Sequence, residues 1–116
     1  MDSWNLLELD VPGGSRSPVV LHTGGEARAV LVALDPGQQL GDHQVKETAF
    51  LAVVDGTARV EAGGGSFDAG VGFLFRFAPD ETHSVSTETG ARLLLFLAPW
   101  PGEGHYRGEE RELARR

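Results

Sequence analysis

A chain of 116 residues is enough for one compact domain and too short for two. It has no Cys, which excludes disulfides, thiolate metal sites and Cys nucleophiles, so any metal must take His, carboxylate, amide or water ligands. Ten Lys and Arg against 17 Asp and Glu give a formal charge of −7 with no basic cluster, so no nucleic-acid partner is expected.

The opening MDSWNLLELD has no basic stretch followed by an apolar one, so no signal peptide is expected. From there glycines punctuate short apolar runs. SPVVLHT ends at Gly24-Gly25, EARAVLVALD follows, and then come PGQQ, DHQV, TAFLAVV, Asp55-Gly56 and TARVEA. After Gly63-Gly64-Gly65 stand SFDAG, VGFLFRFA, PDET, HSVST, Gly90 and ARLLLFLA. Many short runs with regular turn signals between them predict an all-β sandwich or barrel. Asp55-Gly56 reads as a type I′ hairpin turn, which needs positive φ at both central residues.

Period two is visible inside the runs. Ala58 and Val60 should face inward while Thr57, Arg59 and Glu61 face water; Val71, Phe73, Phe75 and Phe77 share one face, with Arg76 on the other. The three Phe read as core, or as an apolar pocket wall. ARLLLFLA is apolar on both faces, as a strand buried twice would be, once in the barrel and once against something else. At about half the ~20 residues of a membrane helix it is too short to span, so a cytoplasmic protein with no membrane partner is expected. That strand, and the exposed edges of any open sheet, point to a homodimer. Pro99 ends the last strand. Residues 99–116 read as a C-terminal strap, with Trp100 packed on the barrel's outer face, and a charged tail from His105 that frays or forms a short surface helix.

The spacing of glycines and histidines resembles the cupin superfamily, small jelly-roll barrels with two short motifs. The first, G-x5-H-x-H-x3,4-E-x6-G, aligns with residues 37–56: Gly37, His43, Val45 in the second His position, Ala49 in the Glu position and Gly56. The second, G-x5-P-x-G-x2-H-x3-N, aligns with residues 72–87: Gly72 and His83 keep the spacing, Pro79 is shifted by one, Asp80 replaces the Gly and Thr87 the Asn. The resemblance implies one all-β domain over residues 1–116, a jelly-roll or double-stranded β-helix barrel. Its cavity would be lined by His43, Val45, Ala49, Phe75 and His83.

Two functions follow. In the first, the barrel binds a small molecule, with or without a metal, in a cavity whose family ligand set is reduced to His43 and His83. In the second, the chain is a metal-dependent enzyme of dioxygenase or isomerase type, with a divalent Zn, Fe, Ni or Mn held by His43, His83 and Glu47. A straight strand would put His43, Val45 and Glu47 on one face. The family register places the ligand at Ala49 instead, which leaves Glu47 as a solvated charge beside Lys46. Gln38 and Gln44 read as surface amides, and His22 and His105 as structural or exposed groups with no spaced partner.

Overall fold

Alternating runs become strands wherever one face can be buried, and nine strands form among the described residues. They are β1 (Val19–Thr23), β2 (Arg28–Leu34), β3 (Gln39–His43), β4 (Thr48–Gly56), β5 (Ala58–Ala62), β6 (Gly65–Ala69), β7 (Leu74–Phe77), β8 (His83–Ser86) and β9 (Ala91–Ala98). The structure, a computed structural model, describes residues 1–13 and 18–102, and all their side chains other than those of Asp42 and His43. His105 and the charged tail, including its expected fraying or short helix, lie outside the described residues. No helix among the described residues is long and apolar enough to cross a membrane.

The strands pair antiparallel into two sheets, a five-stranded one in the order β1-β2-β9-β4-β7 and a four-stranded one in the order β3-β8-β5-β6. The inner positions of both sheets form one core: Val30, Val32 and Leu34; Ala49, Leu51 and Val53; Ala58 and Val60; Ala69, Phe77 and Val85; Ala91, Leu93 and Leu97. Alternation held in β5, where Ala58 and Val60 are buried and Arg59 and Glu61 exposed. It held less well along residues 71–77. Phe77 is buried, but Phe73 is 42% and Val71 65% exposed, because β7 is the edge of its sheet and nothing beyond it covers the preceding turn.

β9 is central, hydrogen-bonded to β2 on one side and β4 on the other. Its outer face is only partly covered. Arg92 Nη1 donates to the Leu6 carbonyl (2.8 Å), and Gly13 forms a parallel bridge with Ala33, so the N-terminal segment lies over the Arg92 end. Leu31, on that face opposite Leu94, is fully buried. At the other end Phe96 remains 39% exposed.

Asp55-Gly56 is not a hairpin turn. β4 and β5 lie in different sheets, and Gly56 is the corner at which the chain crosses between them. Only Gly56 of the two has positive φ (77°). The corner is tight: Thr57 N donates to Gly90 O (3.3 Å), and a Cβ on Gly56 would collide with that carbonyl. The two-residue hairpin sits instead at Gly63-Gly64, with φ of 60° and 78°, between Ala62 and its partner Gly65.

Gly56→Ala should therefore destabilise by at least about 2 kcal/mol, since it combines left-handed strain with a backbone clash. Gly25, with open space around it, is the control: Gly25→Ala should change stability by less than about 0.5 kcal/mol. Urea unfolding of both variants, read as midpoint at constant slope, measures the difference.

Candidate functional site

The two ends of the barrel differ. At one end Gly56 meets Gly90, and Thr87 Oγ1 stitches the corner by donating to Thr57 O (2.7 Å) and accepting from Gly90 N (2.9 Å). The other end collects the candidate groups. β3 and β8 pair there, with the Cα of His43 opposite the Cα of His83 after a bulge between Leu40 and His43. The two histidines thus stand on neighbouring strands, as their motif spacing implies.

His83 is 2% exposed. Its ring stacks on Phe77 (centroids 4.0 Å, planes 2° apart), and its Nδ1 lies 3.1 Å from the Glu81 carbonyl oxygen. That carbonyl can only accept, so Nδ1 donates to it.

Glu47 overturns its reading as a solvated charge. It is 1% exposed, among the largest fully buried side chains, and its Oε2 accepts from Gly102 N at 2.6 Å. The local cause is the pleat. Glu47 stands two residues before Ala49 and four before Leu51, so it joins the inward row that continues to Val53. The alternation Glu47, Ala49, Leu51, Val53 was the signal for it in the sequence.

The strap also lies elsewhere than on the barrel's outer face. Trp100 packs against the core cluster, with the Arg28 guanidinium 4.7 Å from its ring centroid. Arg28 is on the inward row of β2 and pairs with Leu97 at this end. Gly102 is pressed so closely on the chain that a Cβ there would lie 2.9 Å from Lys46 O. Residues 99–102 therefore close the end that holds Glu47.

Of the other expected lining residues, Ala49 is 1% exposed within the core and Val45 packs partly buried against it. Phe75 is half-buried and borders a separate cleft of about 300 Å3 beside β6. His83 borders a depression of about 480 Å3 along the Gly63–Gly65 turn. Gln44 is exposed and accepts from Thr82 Oγ1 (3.2 Å), while Gln38 Oε1 caps a turn by accepting from Asp35 N (2.8 Å). His22 does have a partner, Glu26 across the β1–β2 turn, and the imidazole holds that exposed carboxyl below its usual range.

No protein-family model matches the sequence, and no curated protein matches it. Solved structures do. An RmlC-like cupin from Desulfovibrio desulfuricans superposes with a TM-score of 0.74 at 24% identity, covering 85% of this chain and 97% of its own. A protein with a double-stranded β-helix domain from Klebsiella pneumoniae gives a TM-score of 0.76 at 17% identity over 88% and 94% of the two chains. KdgF from a Halomonas species gives 0.70 at 21% identity over 80% and 88%. The chain has the cupin fold. In that frame Asp80, in a motif Gly position, keeps the backbone such a Gly would have, with φ of 65°. Asp80 N donates to Val45 O (2.8 Å) and its carboxylate pairs with Lys46 (2.7 Å), so the two cupin motifs are tied together beside Glu47.

Glu47→Ala should remove the acceptor for a buried backbone N–H and leave a void, costing about 2–4 kcal/mol in chemical unfolding. It should also release the strap, seen as a red shift of Trp100 emission in a Trp4→Phe background.

Proposed function

We propose that this cupin-fold protein binds a small molecule at the His43–His83 end of its barrel, in the cytoplasm and as a homodimer. The observation that supports this reading is the burial of Glu47 and His83, at 1% and 2% exposure, among buried residues that, Thr87 apart, are apolar. Apolar side chains of similar volume would serve stability as well or better, so two ionisable groups held there argue for a task. Val45 and Ala49 supply the apolar part of the wall, and residues 99–102 form its cover.

One observation favours the second reading, in which that end holds a divalent Zn, Fe, Ni or Mn. His83 directs Nδ1 to a backbone carbonyl, an arrangement typical of a metal-ligating His, whose orientation such a hydrogen bond fixes. Glu47 and His83, with His43 paired to His83 on the neighbouring strand, would supply the two imidazoles and one carboxylate of such a site. A bound ion would supply Lewis acidity for dioxygenase- or isomerase-type chemistry. The chain's own residues would orient it: the Glu81 carbonyl through His83, and Gly102 N through Glu47.

Elemental analysis and native mass spectrometry of the purified protein separate the readings. A co-purifying organic mass without metal, lost in His83→Ala, supports the first. Stoichiometric metal, lost in His83→Ala and weakened about 10–100-fold in Glu47→Gln, supports the second. If neither is found, the Val45→His, Ala49→Glu variant tests the alignment, since four ligands should raise Tm on addition of Zn2+.

The dimer rests on the outer face around Phe96, 39% exposed, and Leu74, 64% exposed, beside half-buried Phe50 and Leu94. Light scattering at micromolar concentration should give twice the chain mass, and Phe96→Glu should halve it. A monomeric wild type ends this part of the proposal.

A further inference from the structure

Phe67, Phe73 and Phe75 form an aromatic cluster that the proposed function does not use. Phe67 is on β6 and pairs with Val60; Phe75 is on β7 and pairs with Leu51. Those partners are 3% and 1% exposed, so both rings occupy inward positions of their sheets. Even so, Phe67 is 51% and Phe73 42% exposed. The exposure comes from the seam: β6 and β7 are the edge strands of the two sheets and do not pair with each other. Core-type side chains are open to water through this gap.

The gap is concave. It forms a cleft of about 300 Å3 walled by Val60, Phe67, Phe75 and Phe77, with Arg76 and Glu81 at its polar margin. This is the lower end of the range of small-molecule pockets, and it is too narrow for a globular partner. The rings are ordered. Phe73 and Phe75 lie 21° apart, and Phe75 and Phe77 are nearly parallel at 4°, with centroids 6.1 and 6.5 Å apart. Phe67 crosses this row at 57° to Phe73 and 78° to Phe75. A parallel floor with a crossing wall offers a flat ring both an offset-stacked and an edge-to-face contact. Phe77 closes the inner end, with its ring stacked on His83, so the cleft is distinct from the His43–His83 end.

We infer that the β6–β7 cleft is a binding site for a small planar aromatic molecule. Its ring lies on Phe75 with Phe67 against it, and its polar substituents face Arg76 and Glu81. Phe67 then becomes interior on binding, as its register requires. The site does not depend on metal or on Glu47.

Amide NMR of the 15N-labelled full chain, titrated with indole, tests it. Indole should produce saturable shifts confined to residues 65–69 and 73–77, with a Kd below about 1 mM. Cyclohexanol, apolar but not flat, should bind about tenfold more weakly or worse. Phe67→Ala should weaken indole binding about tenfold, and Phe75→Leu, which keeps bulk but loses the ring, should do the same. The second variant decides the matter if the first fails to fold. Absence of saturable shifts, equal response to cyclohexanol, or unchanged affinity in Phe75→Leu would overturn the inference. So would shifts confined to residues 40–47 and His83, which would assign the ligand to the other end. A wild-type dimer that Phe67→Ala converts to monomer would give the cleft to a second copy of the chain.

Discussion

Everything in this barrel depends on β9 being held on both edges. It pairs along its length with β2 and with β4, so the five-stranded sheet is assembled around it. Its inward residues Ala91, Leu93 and Leu97 are the middle of the core. Its two ends set the two ends of the molecule: Ala91 pairs with Gly56 at the tight corner, and Ala98 pairs with Thr48, next to Glu47. A register slip of one residue would turn Leu93 and Leu97 outward and Arg92 and Phe96 inward, which the core could not absorb.

From that constraint the asymmetry of the barrel follows. The Gly56–Gly90 end is sealed by backbone contact and the hydroxyl of Thr87, and needs no large side chain. The opposite end is filled by ionisable and aromatic groups: Arg28, Glu47, Phe77, His83 and Trp100. Each described contact among them is polar or aromatic, and each costs more to build than aliphatic packing would. The carboxylate of Glu47 is tolerated because a backbone N–H of the strap meets it, and the His83 ring because Phe77 and the Glu81 carbonyl hold its face and one nitrogen.

The seam between β6 and β7 is a second consequence. Two sheets of unequal strand number, closed by a shared core but not by hydrogen bonds at this edge, leave a gap that side chains must manage. Here the gap is managed by four aromatic rings, two of them open to water. The same edge arrangement explains why Phe77 is buried while Phe73, four residues earlier on the same face, is not.

Much of this was legible in the amino-acid order. Period-two alternation and glycine punctuation located the strands, because alternation is a local consequence of one buried face. The motif spacing of Gly37, His43, Gly56, Gly72 and His83 pointed to the cupin fold and to adjacent histidines. What the tertiary structure alone decided were relations between distant segments. Asp55-Gly56 looks like a hairpin locally, and only the pairing of β5 with β6 and β8 makes it a sheet-crossing corner. Glu47 looks solvated beside Lys46, yet the strap that encloses it comes from residue 102, and a charge's burial is set by whatever packs over it. Phe73 and Phe77 are equivalent in any periodic reading. Which of them meets water depends on where the sheet ends, and strand order across a barrel is written in no single stretch of the chain.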